Sequence, residues 1–455
     1  MIQGTSQHDT AVSALTHACR HLLPAITALG YEAYLVGGCV RDTLMQYPVR
    51  DVDIATNCPP KILQEHFSIQ ADISRNMDIT VMLLQSNGFT YEVAQFRTPQ
   101  DNSPFTAPQA LQKDLEGRDF TINALAMNAE QNIIDPFGGL KDIQTQTIRG
   151  VVSPHKRFTE DPIRILRAVR FAVKYNFSIE PATRTAAQAC KELLSHIAPE
   201  RIHQEITALT HLGGKAFAQG LQMLHELGLL DVILPEVSAL NTAPHAEEHH
   251  PEGNAFAHTL TSIALCPSQS TVVLLALLCH DLGKPVTLTY KRGNPAYHRH
   301  EHAAVPIIES LGKRLRWSNE LLAHVLFTAK HHMRFHAIPH MAPHKTFALM
   351  ESPYFATLHT VALYDAKSRL HAFNPTDWQA IEDTLASLKK RFTGRNSPLA
   401  LLTGDYVMQV TGLASGALLG RVMAKTKEWI LDNNISDIGE IQARLRQLAQ
   451  SMKNA

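Results

Sequence analysis

The stretch of sequence that decides the fold reads GGCVRD at residues 37–42 and RDVDIAT at residues 50–56. The second segment alternates polar and apolar residues, a pattern typical of a β-strand with one face in a core. Because residues i and i+2 of a strand point to the same side, Asp51 and Asp53 share one face while the apolar residues face inward. The sequence therefore predicts two carboxylates side by side on a sheet.

Two adjacent carboxylates repel each other, and the sequence offers no obvious basic neighbour on that face. A divalent cation relieves the repulsion, and Mg²⁺ suits hard oxygen ligands while leaving positions open for phosphate oxygens. Such a site activates a hydroxyl group and stabilises a leaving pyrophosphate. Gly37 and Gly38 allow backbone N–H groups to approach a phosphate, and Arg41 is a candidate to pair with it. Either motif alone is more often a solvated strand face or a plain turn, but their combination favours a metal site.

The rest of the chain divides into a mixed α/β head and a long helical body. Residues 78–85 and 89–96 are strand-like runs joined by the sequence SNG, which predicts a hairpin. Glu92, on the second run, is a candidate third acid, although a surface glutamate is the more common occurrence. From about residue 155 the apolar residues recur at helical spacing. Loops are predicted at 238–254 and 291–299.

The composition and the cysteines indicate a globular protein with reduced thiols. The chain has 455 residues, of which 45% are hydrophobic, and it has 42 basic and 42 acidic residues. That length suggests about three domains and a core large enough to fold without disulfides. The six cysteines form no CxxC pair, so we expect reduced, mostly buried thiols in a cytoplasmic protein. No window approaches the ~20 apolar residues of a membrane span, and we expect no signal peptide.

A charged run, EDPIRILR at residues 160–167, opens the first strong helical pattern. Thr159 is predicted to cap this helix, with acidic residues and a proline in its first turn. Arg164 and Arg167 are three residues apart and therefore lie on neighbouring parts of one face. Taken alone, these charges are those of a solvated amphipathic helix.

The pattern GGxVRD followed by DxDIAT resembles the class II tRNA nucleotidyltransferases and the related bacterial poly(A) polymerases, both of the DNA polymerase β superfamily. The resemblance continues in DLEGRDFTINAL at residues 114–125, where Gly117 replaces the family's usual first arginine. Arg118 stands at the family's phosphate-binding position. The resemblance implies an α+β protein with a polymerase β-like head of mixed sheet and helices, Mg²⁺ at the two catalytic aspartates, and nucleotide selection by residues 160–167.

Nucleotide selection by that run has a chemical basis. Cytosine and adenine both present an amino donor beside a ring-nitrogen acceptor, whereas guanine and uracil present the opposite pattern. A carboxylate accepts from the amino group and a guanidinium donates to the ring nitrogen. A wrong base leaves buried polar groups unpaired, at a cost of about 1–3 kcal/mol per group. The resemblance thus implies that Asp161 and Arg164 read the base, and that Arg167 supports the base or the phosphates.

The second half of the chain carries an ordered series of potential metal ligands: His258, His280, Asp281, His300, His331, His332 and Asp365. A single histidine on a helix is more often a structural residue, but imidazoles and carboxylates spread over several helices can enclose a transition metal. The series resembles the HD phosphohydrolase superfamily. That resemblance implies a divalent transition metal held by the first histidine, the His-Asp pair and the final aspartate, with water activated against phosphoesters.

Together the motifs predict four segments: a nucleotidyltransferase head (1–150), a helical neck (151–240), an HD-type metal domain (241–372) and a helical, tRNA-binding tail (373–455). The resemblance implies template-independent addition of CCA to the 3′ end of tRNA from CTP and ATP, with an additional HD phosphohydrolase or phosphodiesterase activity. Residues 69–81 lack the basic cluster of the poly(A) polymerases, which favours CCA addition.

Several alternatives stay open. A CC- or A-only enzyme and a poly(A) polymerase share these motifs. Two further hypotheses assign the chain to other classes of protein. One is an HD phosphohydrolase with a degenerate RNA-binding head, and the other is a non-enzymatic RNA-binding scaffold. The sequence leaves the oligomeric state, the HD metal and the HD substrate undetermined.

Overall fold

The computed structural model describes residues 12–72, 80–96, 107–245, 253–369, 373–394 and 397–453. The chain separates into two compact units, the first of residues 1–209 and 220–233, the second of residues 210–219 and 234–455. The first contains a seven-stranded sheet, and the second is helical apart from a two-stranded hairpin. The predicted α+β class, with a mixed sheet in an N-terminal head, is confirmed. The division into four segments stays a prediction.

The sheet of the first unit is mixed. Its strand order is β3-β4-β5-β2-β1-β6-β7, and β2 runs parallel to β5 while the other neighbouring pairs are antiparallel. The strands are β1 (Ala33–Val36), β2 (Asp53–Thr56), β3 (Ser68–Asp72), β4 (Val81–Ser86), β5 (Phe89–Gln95), β6 (Ala126–Met127) and β7 (Ile133–Ile134). A separate parallel pair joins β8 (Thr147–Ile148) to β9 (Ser178–Ile179).

The predicted hairpin is the β4–β5 pair. Its turn residues Asn87 and Gly88 have φ values of 51° and 80°, as a tight hairpin turn requires. Residues 73–79, which include the start of the first predicted run and part of the stretch compared with poly(A) polymerases, lie outside the described residues.

Strand β2 is shorter than the alternating pattern predicts. Its antiparallel partner β1 ends at Val36, where Gly37 turns the chain away with a φ of 72°. The strand therefore begins at Asp53, and Asp51 lies just before it. Side chains of β1, β2 and β5, among them Leu35, Ile54 and Val93, are fully buried in the core of the head.

The first helices of the first unit alternate with the strands of the sheet, and the later ones form the neck. The helices are Leu23–Ala28, Gly38–Leu44, Pro60–His66, Ala107–Glu116, Gly139–Gln144, Pro154–Glu160, Ile163–Tyr175, Pro181–Ala189, Pro199–Thr210, Gly214–Glu226 and Leu230–Ile233. The last residue of Pro199–Thr210 and the first six residues of Gly214–Glu226 belong to the second unit. The helix Ile163–Tyr175 is amphipathic and buries its apolar residues, as the periodicity predicts.

The predicted start of the neck helix is wrong. Thr159 lies inside a preceding helix, Pro154–Glu160, where its hydroxyl donates to the carbonyl of His155 at 2.9 Å. The next helix starts at Ile163 because the residue before a proline is pushed out of the helical region, and Asp161 accordingly has φ −149° and ψ 95°. Asp161 thus lies in the junction between two helices and not on a helix face.

The second unit consists of helices and one hairpin. The hairpin pairs β10 (Leu288–Lys291) with β11 (Asn294–Tyr297), so most of the loop predicted at 291–299 is strand and tight turn. The turn residues Arg292 and Gly293 have positive φ, as a tight hairpin turn requires, and the polar residues around them are typical of a loop as well. The helices are Pro235–Ser238, Ala255–Leu265, Thr271–Cys279, Lys284–Thr287, His300–Arg314, Asn319–Phe335, Pro343–Met350, Phe355–Ser368, Pro375–Phe392, Gly404–Thr411, Ala417–Asn433 and Ile438–Lys453.

The cysteines behave as predicted: all six lie in the described part of the chain, buried and unpaired. Among the described helices, none combines the length and the apolar character that a membrane crossing requires. Part of the predicted loop 238–254, residues 246–252, lies outside the described ranges.

Candidate active site and metal centre

One cleft in the first unit gathers most of the residues predicted for the head and neck. Its volume is ≈ 530 Å³. Its walls include Gly38, Arg41, Asp53, Arg118, Asp161, Arg164 and Arg167, together with Asp119, Asn123, Arg201, Gln204 and Glu205, which the sequence did not single out. Asp119 and Asn123 belong to the quoted run at 114–125, so a signal for them existed. Arg201 gives no such signal, because its contact with the cleft depends on how the helices pack.

Gly37 makes the turn between β1 and the helix Gly38–Leu44. Its N–H donates to the carbonyl of Leu125 at 3.1 Å. A Cβ on Gly37 would overlap the guanidinium of Arg118 and would lie 3.8 Å from Oδ2 of Asp53. The absent side chain and the positive φ therefore leave room for Arg118 beside the acids.

A third carboxylate lies beside the two predicted ones. In the register of β2 and β5, Glu92 is the direct neighbour of Asp53. Burial raises the pKa of Asp53 to about 6; Arg118 opposes the shift, while Glu92 and Asp51 add to it. The expectation that the acids lack a basic neighbour is wrong, because Arg118 reaches Asp53 from a segment far along the chain. The excess of acidic groups fits a divalent cation with carboxylate ligands.

The raised pKa of Asp53 predicts a pH-dependent requirement for the metal. Below pH 6 a proton competes for the carboxylate, so we expect the apparent Mg²⁺ affinity to fall by about tenfold per pH unit there. Titration of Mg²⁺ into the protein at pH 7.5, 6.5 and 5.5 tests this. Excess Mg²⁺ should saturate the site at each of the three pH values. An Mg²⁺ requirement that is the same at all three pH values would contradict the prediction.

The guanidinium of Arg41 makes hydrogen bonds and a ring contact within the protein. Its Nε donates to Oδ1 of Asp42 at 2.8 Å, a second guanidinium nitrogen donates to Asn123, and the guanidinium carbon lies 4.9 Å from the ring centroid of Tyr175. The residue is buried, although it lines the cleft. These contacts brace the first turns of the helix Gly38–Leu44 against the cleft wall. Its pairing with phosphate stays a prediction.

Arg167 is held by Asp119. Its Nε and a terminal nitrogen lie 2.8 and 2.7 Å from Oδ2 of that carboxylate. Burial alone raises the pKa of Asp119, but Arg167, the amide of Asn123 and the N–H of Phe120 outweigh it and lower that pKa to about 2. The pair is therefore charged and fixed at neutral pH, which orients Arg167 along the cleft.

The two residues predicted to read the base both line the cleft. Oδ1 and Oδ2 of Asp161 accept from the two terminal nitrogens of Arg201 at 2.9 and 2.8 Å. Arg164 donates to the carbonyl of Gly117 at 2.9 Å and to that of Arg157 at 3.3 Å. A carboxylate and a guanidinium, each oriented by further hydrogen bonds, are thus available in one cleft. Such an arrangement can discriminate donor from acceptor edges of a base.

The second unit brings the predicted histidines and aspartates of the other site together. All are buried, and they come from five helices and the residues next to them: His258, His280, Asp281, His300, His332 and Asp365. They form two groups whose ligand atoms lie within 4.8 Å of one another, the first of His258, His280 and Asp365, the second of Asp281, His300 and His332. The four predicted ligands therefore meet, and two further histidines of the series join them.

Asp281 connects the two groups. Its Oδ2 lies 3.2 Å from Nε2 of His280, and its Oδ1 lies 3.2 Å from Nε2 of His300. In the first group, Oδ1 of Asp365 lies 2.9 Å from Nε2 of His258 and 3.7 Å from Nε2 of His280. Donor atoms at such separations can share one or two cations.

The imidazoles are oriented as metal ligands are. Nδ1 of each of three rings donates to the backbone carbonyl three residues earlier, at 2.7 Å for His280, 3.0 Å for His300 and 2.7 Å for His332. This bond fixes the tautomer and leaves Nε2 as the free nitrogen that points into the cluster. Nε2 of His280 makes no hydrogen bond to a described residue. The donor set therefore fits a transition metal with nitrogen and oxygen ligands.

The charge of the cluster also favours a cation. Burial lowers the pKa of His280, but Asp281 and Asp365 outweigh it and raise that pKa to about 10, so a proton is retained between the acids. Burial and the neighbouring His280 lower the pKa of His332 to about 3, which keeps this ring neutral. A bound metal ion would replace the retained proton.

Comparison with known proteins finds two matching families and a related CCA-adding enzyme. A family described as "Poly A polymerase head domain" matches residues 33–149, and one described as "Probable RNA and SrmB-binding site of polymerase A" matches residues 176–240. A CCA-adding enzyme of Lacticaseibacillus paracasei is 43% identical over 228 residues, which are 49% of this chain and 56% of that enzyme. The chain thus aligns with little more than half the length of this curated relative.

Solved structures extend the likeness to nearly the whole chain. The CCA-adding enzyme of Bacillus stearothermophilus in complex with CTP matches with a TM-score of 0.67 and 26% identity, over 95% of this chain and 97% of that one. The Thermotoga maritima enzyme complexed with tRNA matches with a TM-score of 0.59 and 18% identity, over 97% and 96% of the two chains, which indicates a shared fold.

Proposed function

We propose that the chain adds the CCA sequence to the 3′ end of tRNA from CTP and ATP, with release of pyrophosphate; its residues 33–149 match the poly A polymerase head domain family. The observation that carries the proposal is the cleft of the first unit, in which the acid Asp53, the phosphate-binding candidate Arg118 and the base-reading pair Asp161 and Arg164 meet. The CCA-adding relatives, one of them in complex with CTP, support this choice of reaction.

Each residue in and beside the cleft has a proposed role in this reaction. Asp53, which lines the cleft, and the exposed Asp51, two residues before it, would hold Mg²⁺, which when bound neutralises triphosphate charge and activates the attacking hydroxyl. Arg118, beside Asp53, would bind triphosphate oxygens. Asp161 accepts a hydrogen bond from the amino group of cytosine or adenine, and Arg164 donates to the ring nitrogen. Asp119 keeps Arg167 extended along the cleft, where it supports the base or the phosphates.

Labelled CTP and ATP supplied with tRNA that lacks its 3′ end separate this proposal from its alternatives. CCA addition gives three added nucleotides that end in A. A ladder of A residues indicates a poly(A) polymerase, and one or two nucleotides indicate a CC- or A-only enzyme. Absence of incorporation by the metal-supplied, folded protein leaves the HD phosphohydrolase and the non-enzymatic scaffold, and overturns the proposal.

The base-reading role predicts a change of nucleotide choice. We expect Arg164→Ala to raise incorporation of UTP and GTP relative to CTP and ATP by about tenfold, because the penalty of 1–3 kcal/mol for an unpaired buried group disappears. Single-nucleotide incorporation with each of the four triphosphates measures this. Arg184→Ala, which removes a surface arginine paired with Glu226, is the matched control. Unchanged nucleotide choice in Arg164→Ala would refute the role.

A second activity is supported by the metal centre of the second unit. We propose that the buried histidines and aspartates hold one or two divalent transition-metal ions and hydrolyse phosphoesters. The observation in favour is the convergence of Nε2 atoms from rings whose Nδ1 atoms are bonded to backbone carbonyls. The bound metal would supply an activated water. The tail, residues 373–455, is proposed to contact tRNA.

A further inference from the structure

An exposed hairpin of the second unit lies outside both sites described above. It pairs β10 with β11, and with the two residues that follow it spans residues 288–299, which we call the basic arm. The base of the arm is anchored by Tyr297, whose hydroxyl donates to the carbonyl of Pro244. A further bond joins the two strands, from the hydroxyl of Thr289 to the carbonyl of Ala296 at 3.0 Å. The arm is therefore an ordered element with an outer half that is open to solvent.

Every charged side chain of the basic arm is basic. The arm contains Lys291, Arg292 and Arg299, together with His298, and it contains no aspartate or glutamate. All four side chains are exposed, and within the described ranges none of them forms an ion pair or a side-chain hydrogen bond. The whole chain, by contrast, has 42 basic and 42 acidic residues. Unpaired cations that are concentrated on one hairpin attract a polyanion.

An exposed aromatic ring accompanies these cations. Tyr290 is 66% exposed. Alternation along β10 places Tyr290 on the same face as Leu288, which pairs with Tyr297 across the hairpin. The inner part of this face packs onto the second unit through Tyr297, whereas Tyr290 stands beyond it, directly before Lys291 and Arg292. An open ring next to cations is a stacking surface for a nucleobase.

The combination of ring and charge favours RNA over a lipid surface as the partner of the arm. A second apolar side chain near the arm, Val286, is 69% exposed, but it is small. A membrane-binding surface buries a broad apolar face beside its cations, and one ring with one small aliphatic side chain does not form such a face. In single-stranded RNA, phosphates and unstacked bases follow one another along the chain, so one strand can satisfy both the cations and the ring.

We propose that the basic arm binds single-stranded RNA, with a base stacked on Tyr290 and the neighbouring phosphates bound by Lys291 and Arg292. His298 and Arg299 extend the cationic surface toward the base of the hairpin. The contact is made with a continuous strand and needs no RNA terminus. It is therefore distinct from the addition reaction in the cleft of the first unit and from hydrolysis at the metal centre, and it depends on neither of them.

A circular RNA tests this contact without offering an end to the addition site. The probe is a circular oligouridylate of about 12 nucleotides, within the usual size of a single-strand site, that contains 4-thiouridine. It is mixed with the full-length protein in the presence of a chelator, so that no metal-dependent reaction consumes it. Irradiation links 4-thiouridine to the residue on which it stacks, and mass spectrometry of the digested protein locates the link. We expect the link at Tyr290.

Substitution of the ring tests the stacking contact. We expect Tyr290→Ala to weaken binding of the circular RNA, measured by fluorescence anisotropy, by about 5- to 100-fold, as loss of one stacked base does. Tyr290→Phe keeps the ring and should bind as the wild type does. Both variants change a side chain that is mostly in solvent, and the phenylalanine variant separates loss of stacking from any change in the fold.

Substitution of the cations tests the phosphate contacts. The double substitution Lys291→Gln and Arg292→Gln should lower the slope of log Kd against log salt concentration by about 1.4, which corresponds to two phosphates of a single strand. The matched control is the double substitution Lys313→Gln and Lys345→Gln, which removes two exposed cations elsewhere in the second unit. The control has the same net charge and should keep the wild-type slope.

Three results would overturn the proposal. The first is a set of links that leaves out Tyr290, and the second is an equal loss of slope in the two double variants, which would reflect overall charge. The third is binding of the wild type to vesicles of anionic phospholipid without binding of the circular RNA, which would assign the basic arm to a membrane surface.

Discussion

Replacing Asp53 with asparagine is expected to lower the rate of nucleotide addition by about a thousandfold or more, because an amide carries no charge to hold Mg²⁺ against a triphosphate. Such a loss corresponds to about 4 kcal/mol of transition-state stabilisation. Single-turnover addition of labelled CTP to trimmed tRNA measures it. Glu65→Gln, an exposed acid on the helix Pro60–His66 of the same unit, is the control and should keep the wild-type rate.

The same variant is expected to be no less stable than the wild type. The pKa of Asp53 is raised to about 6, so the fold favours the protonated form. The stability contributed by that form is present below the unfolded pKa near 4 and is lost as pH rises through 6. At pH 7.5 with a chelator, Asp53→Asn should therefore melt at the wild-type temperature or above it. The difference in melting temperature between the variant and the wild type should shrink toward pH 4.5.

The activity prediction for this variant has one contradicting outcome. Full addition activity in Asp53→Asn would remove the basis of the proposed function.

The second large effect concerns the metal centre. We expect the double substitution His280→Ala and Asp281→Asn to abolish bound transition metal and to lower phosphoester hydrolysis by at least about a hundredfold. The reason is that His280 belongs to one group of ligands and Asp281 connects both. Metal content is measured by elemental mass spectrometry, and hydrolysis with a generic phosphodiester.

The addition reaction serves as the internal check on this variant. It depends on the cleft of the first unit, so it should continue at the wild-type rate. His302→Gln, which replaces a half-exposed histidine two residues after His300, is the matched control and should retain both metal and hydrolysis. Hydrolysis that persists in the double variant after the metal has gone would exclude the centre as its source.

Part of the head site was predictable from the sequence because its residues stand in short local patterns. The position of Asp53 in a strand and of the two glycines at a turn follows from neighbouring residues, whereas the strand does not reach Asp51. The ordered histidines and aspartates of the second unit were likewise visible as a series. Six of the seven side chains in that series lie together in the candidate metal centre.

The helix boundaries of the neck differ from the prediction because other residues near Thr159 decide them. Thr159 had the residue type and position of a cap, but Pro154 and Ser153 start a helix earlier, and the conformation of Asp161 before Pro162 ends it. Asp161 is consequently available at a junction, where Arg201 can bind both of its oxygens. No local pattern predicts that contact, because Arg201 belongs to the helix Pro199–Thr210, 40 residues further along the chain.

The sequence by itself determined the chemistry of the side chains, the mixed sheet with its hairpin, and the order of ligands along the chain, since periodicity and turn residues act between near neighbours. Only the tertiary structure decided that Arg118 lies beside Asp53 and that Glu92 is the neighbour of Asp53 in the sheet. These features arise where distant segments are brought together by packing, and they depend on register and on burial that one segment alone does not contain.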